Sequence, residues 1–301
     1  MKPVRRLPLP LRRGARVGVF APAGPVAIPR LRRGVERLEA EGFRVVEAAN
    51  VRSRDGYLAG DDEARLAGLE ELLDAGVEAL LASRGGFGSA RLLGRLPWER
   101  LTSWGGWLVG FSDLTALHAG MAACTQLATL HGPMVATLTR HEGSTRRLFQ
   151  WLRGEAPEML FRLTSAQVVR DGVARGVAVG GNLSVLTSLI GSRFEPDWDG
   201  VVLFLEDVGE PLYRLDRMLT QLRLASRLGR IVALVGGRFV GCGRGERRFR
   251  ERWRALLAEA APPSAVVVEG LPFGHGTVNT PFPLGIQVEV DTRRRWVRLG
   301  G

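Results

Sequence analysis

The strongest constraint on the fold is a repeating pattern: a short, continuously apolar run that stops at a turn, then a stretch with helical apolar spacing. Residues 16–21 (Arg-Val-Gly-Val-Phe-Ala) run into Pro22-Ala23-Gly24-Pro25. Residues 28–41 carry Leu31, Val35 and Leu38 at helical spacing and end at Gly42, a natural helix stop. A strand follows at 43–48. Asp61-Asp62-Glu63 then opens a helix with acids at its positive end, running to about Ala75. The strand at 77–83 leads into Arg84-Gly85-Gly86-Phe87-Gly88. The strand at 108–111 stops at Ser112-Asp113, ahead of a helix reaching about Cys124, and 127–130 is one more short strand. Alternation of this kind predicts βαβ units and a mostly parallel sheet, an α/β fold. In such sheets ligands bind beyond the carboxyl ends of the strands, where Pro22, the Gly85-Gly86 turn and Ser112 all fall.

A seam interrupts the pattern. Residues 140–153 form a polar-faced helix, Gly154-Glu155-Ala156-Pro157 a turn, and 162–175 an extended linker or β arm. From Gly176 a second organisation begins. It runs through Gly180-Gly181-Asn182 into a helix at 183–189, a strand at 201–205, a helix at 213–225 and strands at 231–235 and 265–268. A terminal β segment starts at 283–290. This places a nucleophile-bearing N-terminal α/β domain at 1–155, a linker at 156–175 and a C-terminal domain at 176–301. No internal repeat is visible.

Length and composition narrow the class. The 301 residues suffice for two domains and a core without disulfides or structural metal. Cys124 and Cys242 have no ligand spacing, and no His/Cys/Asp cluster has metal spacing, so neither metal nor cofactor is expected. Two cysteines also fit a reducing compartment. No apolar run reaches the roughly 18–20 residues of a membrane span; the best stretch, 104–123, is broken by Asp113 and His118. The basic, proline-punctuated start, residues 1–16, has no apolar core of a secretory signal.

The net charge of +11 raises nucleic acid as a partner. The cations are almost all arginine, Lys2 being the sole lysine. They cluster at Arg5 to Arg16, Arg247 to Arg250 and Arg293 to Arg295, and elsewhere mix with acids, as in Glu63-Ala64-Arg65. No nucleic-acid docking motif accompanies them, so an arginine-rich solvated surface is the favoured reading and nucleic acid the minority one.

Ser112, at a strand-to-helix turn in Gly110-Phe111-Ser112-Asp113-Leu114, is the first candidate nucleophile. Leu114 departs from the G-x-S-x-G pattern, and local sequence alone favours a plain helix N-cap. Four histidines could serve as base: His118 inside the next helix, His131 after a short strand, His141 in the seam helix, and His275 between glycines in Phe273-Gly274-His275-Gly276. Glu206 follows the 201–205 run and could orient the base, with Asp207, Glu210 and Asp216 as competitors. It could equally stabilise the next helix near Arg214 and Arg217. Arg84-Gly85-Gly86-Phe87-Gly88 is no phosphate loop but could offer backbone donors.

Seven ordered segments together resemble the LD-carboxypeptidases, the serine peptidase family of murein tetrapeptide carboxypeptidases and microcin C self-immunity peptidases. They are Gly56-Tyr-Leu-Ala-Gly-Asp-Asp-Glu63, Ser83-Arg-Gly-Gly-Phe-Gly-Ser-Ala-Arg-Leu-Leu93, Gly110-Phe-Ser-Asp-Leu-Thr-Ala-Leu-His118, His131-Gly-Pro-Met134, Gly181-Asn-Leu183, the 205–219 segment and Phe273-Gly-His-Gly276. The likeness runs from Ala21 to about Gly285. It implies a Ser112–Glu206–His275 triad, with oxyanion donors from the backbone of Gly85 or Gly86 and of Asp113. It further implies an N-terminal flavodoxin-like or Rossmann-like parallel-sheet domain and a C-terminal β-rich domain. A homodimer acting in the cytoplasm is implied too, removing terminal D-alanine from muropeptide tetrapeptides in peptidoglycan recycling, without cofactor or membrane. Phe87 stands where an aromatic, often tyrosine, is usual, and residues 1–13 have no counterpart. The short 191–201 segment lacks the insertion of microcin-type members, which cleave a peptidyl-nucleotide; that activity is the alternative.

Overall fold

A computed structural model of the chain describes residues 5–155 and 157–300. It divides into two compact units: Arg5–Ala156 with Thr277–Pro283, and Pro157–Gly276 with Leu284–Gly301. The rest of the basic N-terminal stretch and of the expected linker is described, but residues 1–4 and Ala156 lie outside the described residues.

The first unit is built from β1 (Arg16–Phe20), α1 (Ile28–Ala40), β2 (Arg44–Glu47), α2 (Asp62–Asp74), β3 (Ala79–Ala82), α3 (Ser89–Leu92), α4 (Trp98–Trp104), β4 (Trp107–Gly110), α5 (Thr115–Cys124), β5 (Thr129–His131) and α6 (Glu142–Leu152). Five strands pair in parallel in the order β2-β1-β3-β4-β5, the flavodoxin-like order. Continuous apolar runs suit such strands because helices cover both faces of the sheet: Val17, Val19, Leu80, Leu81, Val109 and Leu130 are fully buried. Asp61 caps α2, accepting from the Ala64 N–H at 2.8 Å, as the acidic start of that helix suggested. Strand order reverses between β1 and β3. The loops leaving these two strands therefore diverge at a switch point, and the Gly24 N–H donates to the Gly85 carbonyl at 3.1 Å to join them.

The second unit comprises β6 (Met159–Arg162), β7 (Val168–Arg170), β8 (Val173–Asn182), α7 (Leu183–Ser188), β9 (Val201–Val208), α8 (Leu212–Leu224), β10 (Ala233–Val240), α9 (Phe249–Ala260), β11 (Val266–Val268), β13 (Gln287–Asp291) and β14 (Trp296–Leu299). The strand β12 (Phe282–Leu284), whose first two residues belong to the first unit, lies at the edge of that unit's sheet beside β5. The other strands form an eight-stranded mixed sheet, β6-β14-β13-β8-β9-β10-β11-β7. Its centre, β8 to β11, is parallel, and its flanks are antiparallel. The 156–175 stretch expected as a linker thus holds β6, β7 and the start of β8.

Two strands outrun their apolar runs: β9 extends through Glu206 and Asp207 to Val208, and β10 to Val240. Along β9, Val201, Leu203 and Leu205 pack into a cluster with Leu186, Leu215, Leu219, Trp253 and Leu257 of the helices. Side chains alternate along a strand, so Phe204 and Glu206 face the opposite way. Phe204 meets Phe273 there, with ring centroids 5.8 Å apart.

Candidate active site

Ser112 stands just past β4, separated from it by Phe111, with φ of 64°; it is one of three non-glycine residues in the left-handed region among those described. Such a backbone costs on the order of 1–3 kcal/mol and persists only where its surroundings hold it. Phe111 caps the 3-10 turn Ser112–Leu114 and Leu114 caps α5, so Ser112 is not the N-cap that local sequence favoured. Glycine makes room on both sides. A Cβ on Gly110 would lie 2.7 Å from Leu114 Cγ. One on Gly85 would lie 3.1 Å from Ser112 Cβ and 3.2 Å from its Oγ. The Gly85-Gly86 turn therefore packs directly on the serine.

Asp113 locks this arrangement. It is buried; its carboxylate accepts from the Ser89 N–H at 2.8 Å, and its carbonyl accepts from the Ser89 hydroxyl at 2.6 Å. The first turn of α3, just past the glycine loop, is thereby tied to the residue after Ser112. The Gly85 carbonyl points at Gly24, and in a trans peptide the Gly86 N–H points the other way.

Glu206 and His275 meet in the second unit. His275 Nδ1 lies 2.6 Å from Glu206 Oε2, and the Glu206 side chain is fully buried. A carboxylate accepts, so Nδ1 carries a proton toward Glu206. The loop bearing His275 is pinned to β10: the Leu271 N–H donates to Gly236 O at 3.0 Å and the Arg238 N–H to Phe273 O at 2.9 Å. Gly274 has φ of 97°, and a Cβ there would lie 2.6 Å from Glu206 Oε2. Only glycine lets the chain pass that close to the carboxylate.

The competing residues have other work. Asp207, on the opposite face of β9, accepts from Asn182 Nδ2 at 2.9 Å and from the N–H groups of Ser184 and Val208 at 3.0 and 2.8 Å. Burial, with the Glu206 charge as a lesser contribution, pushes its carboxyl up to about 6. Glu210 pairs with Arg214, and Asp216 accepts from Thr220 at 3.3 Å. Pro211 caps α8 without a side-chain bond, so Glu206 has no capping role there.

The other histidines are likewise engaged. His118 Nε2 donates to Gly110 O at 3.0 Å, leaving Nδ1 to accept from Thr129 Oγ1 at 2.9 Å; burial lowers its pKa to about 4. Both nitrogens are used, which removes it as a general base. His141, at the start of the seam helix, caps α6 by accepting from the Ser144 N–H at 3.0 Å. His131 is buried, its ring stacked on Phe282 with centroids 4.8 Å apart.

One residue escaped the sequence reading. Arg65, taken with Glu63 as part of a mixed surface, is the one buried arginine among the described residues. The signals available were its i,i+3 spacing from Asp62 and its place in line with Leu69 and Leu72 on the buried face of the helix. Among the described residues, no three His, Cys, Asp or Glu side chains gather as a metal ligand set, and no helix is long and apolar enough to cross a membrane.

The LD-carboxypeptidase N-terminal domain matches residues 17–132 and the LD-carboxypeptidase C-terminal domain residues 175–290. The murein tetrapeptide carboxypeptidase of Pseudomonas aeruginosa is 31% identical over 303 residues, covering 93% of this chain and 95% of its own. A Bacillus subtilis protein named as a probable murein peptide carboxypeptidase is 33% identical over 304 residues, 96% of this chain and 92% of its own. In structure, the microcin C7 self-immunity protein MccF bound to glutamyl sulfamoyl guanosine superposes with a TM-score of 0.87 at 23% identity, over 99% of both chains. That likeness establishes the mixed α/β fold, a parallel-sheet N-terminal domain with a β-rich C-terminal one.

Proposed function

The chain belongs to the LD-carboxypeptidase family, and we propose that within it this protein is a serine carboxypeptidase that removes the terminal D-alanine from murein tetrapeptides. The observation that carries the reading is the left-handed Ser112 at the end of β4, packed on the Gly85-Gly86 turn. A strained strand-to-helix turn of this kind presents a nucleophile at a sheet edge beside main-chain donors.

In the proposed reaction His275 takes the Ser112 proton as the hydroxyl attacks the carbonyl of an L-centre residue joined to D-alanine. Glu206 holds the imidazole tautomer and stabilises the imidazolium, a role its 2.6 Å contact with Nδ1 suits. The tetrahedral oxyanion is met by the amides of Asp113 and of Gly85 or Gly86; losing one such donor typically costs about 3–4 kcal/mol of barrier. His275 then protonates the departing D-alanine, and water releases the acyl-enzyme. No metal or cofactor enters. The reaction belongs, in this proposal, to peptidoglycan recycling in the cytoplasm, catalysed by a homodimer.

The short connection over residues 191–200 favours a tetrapeptide over a peptidyl-nucleotide substrate. The test is incubation with L-Ala-D-Glu-mDAP-D-Ala, with free D-alanine and tripeptide read by mass spectrometry. Release by the wild type and none by a folded Ser112→Ala variant is expected. Full release by Ser112→Ala would refute the assignment.

A further inference from the structure

We propose that Arg65 is a positioning residue, a buried clamp that holds the two switch-point loops, 21–25 and 84–88, in the arrangement the reaction uses. The inference rests on the reading above, in which Gly85 or Gly86 and Asp113 meet the oxyanion.

Arg65 lies on the inner face of α2, with its side chain fully shielded from solvent. Its Nη1 donates to two main-chain carbonyls, Pro22 O and Gly88 O, the second at 2.9 Å. Its Nε donates to Asp61 O at 3.3 Å, and its Nη2 pairs with the Asp62 carboxylate. Asp62 is held from outside by Arg91, whose Nε and Nη2 reach it at 2.9, 3.1 and 2.8 Å. One guanidinium thus joins the loop after β1 to the loop after β3.

Stability alone does not call for this arrangement. Taking an ion out of water costs several kcal/mol, and apolar replacements for buried ion pairs are often neutral or stabilising. The carbonyl partners indicate what the charge accomplishes instead. Gly88 O is the last carbonyl of the glycine loop, and Ser89, next in sequence, grips both the carboxylate and the carbonyl of Asp113. Pro22 O lies two residues before Gly24, whose N–H orients the Gly85 carbonyl. Both ends of the clamp therefore lead to the turn that packs on Ser112. The contact is close as well: Gly88 has φ of 127°, and a Cβ there would lie 2.8 Å from Arg65 Nη1 and 2.6 Å from Leu58 Cδ2. Lysine, a single point charge, cannot span carbonyls and carboxylate with a fork of donors.

The test compares Arg65→Lys and Arg65→Ala with wild type on the tetrapeptide, alongside hydrogen exchange of the 84–88 amides. We expect kcat to fall by roughly 30- to 100-fold, the scale of a misplacement of about 1 Å, with KM little changed. Exchange over 84–88 should quicken, and millimolar ethylguanidinium should restore part of the kcat of Arg65→Ala. If Arg65→Ala does not fold, Asp62→Asn keeps the guanidinium but removes its carboxylate, and should give the same split more weakly. Arg95→Gln, which breaks only the exposed pair with Glu63, is the control expected to match wild type. Unchanged kcat and unchanged exchange in folded variants would overturn the clamp. So would losses that follow the folded fraction alone with no rescue. The exchange readout needs no turnover, so it judges the clamp even if Ser112→Ala proves active and the functional reading fails.

Discussion

The region around Ser112 and the region around His275 are built by different means. Around Ser112 the geometry is made of backbone: a left-handed serine, glycines at 85 and 110 where a Cβ would crowd its neighbours, and tethers from Asp113 and Arg65 to main-chain atoms. Around His275 it is made of side chains: a carboxylate in the interior of β9 and an imidazole on a glycine-flanked loop, joined by one short hydrogen bond. The first region should therefore be sensitive to shape at conserved charge, and the second to charge at conserved shape.

The largest expected effect breaks the second region. Glu206→Gln preserves shape but lets the amide donate, favouring the wrong imidazole tautomer. D-alanine release should fall by about 10³- to 10⁴-fold with the fold intact by circular dichroism. A drop of less than tenfold would mean that Glu206 only fills space. Next comes Gly85→Ala, which adds no charge but must displace Ser112 by a few tenths of an ångström. Its kcat should fall by about tenfold to a hundredfold, and an unchanged kcat would show that the turn tolerates bulk beside the serine.

The smallest effect concerns stability. His118 is held neutral, its pKa lowered to about 4, so between about 6.5 and 4 the unfolded chain binds the extra proton and the fold loses stability as pH falls. Asp207, raised to about 6, works in reverse: the fold holds its proton, and stability falls as pH rises from about 3.8 to 6. The two slopes oppose each other. Relative to wild type, a His118→Gln variant should gain up to about 3 kcal/mol in urea unfolding between pH 6.5 and 4. A pH-independent difference would mean that His118 titrates normally in the fold.

Much of the first region was legible because its strands are buried on both faces and read as unbroken apolar runs. Pro22, the Gly85-Gly86 turn and Ser112 announced the ends of β1, β3 and β4. The second region was harder to see. Glu206 and Asp207 lie within β9, where charged residues look like the end of a strand, and their opposite facing follows only once the strand is known to continue. Helix α9 was hidden in a different way: Arg250, Arg252 and Arg254 interleave with Phe249, Trp253 and Leu257, and the charge masked the apolar stripe. The strands β6 and β7 depend on partners far along the chain, which no local pattern can supply. Arg65 was misplaced because a buried guanidinium satisfied by carbonyls has the same local sequence as a solvated one.

The two regions belong to different units of the chain, and the proposed reaction requires them to act as one set. Groups that act as a unit are not additive when removed. The direct measurement is a double-mutant cycle on D-alanine release with Ser112→Ala, His275→Ala and the pair. Each single substitution should abolish nearly all release, and the double variant should be no worse than either. Losses that multiply, or a single variant that keeps wild-type turnover, would contradict a shared catalytic set.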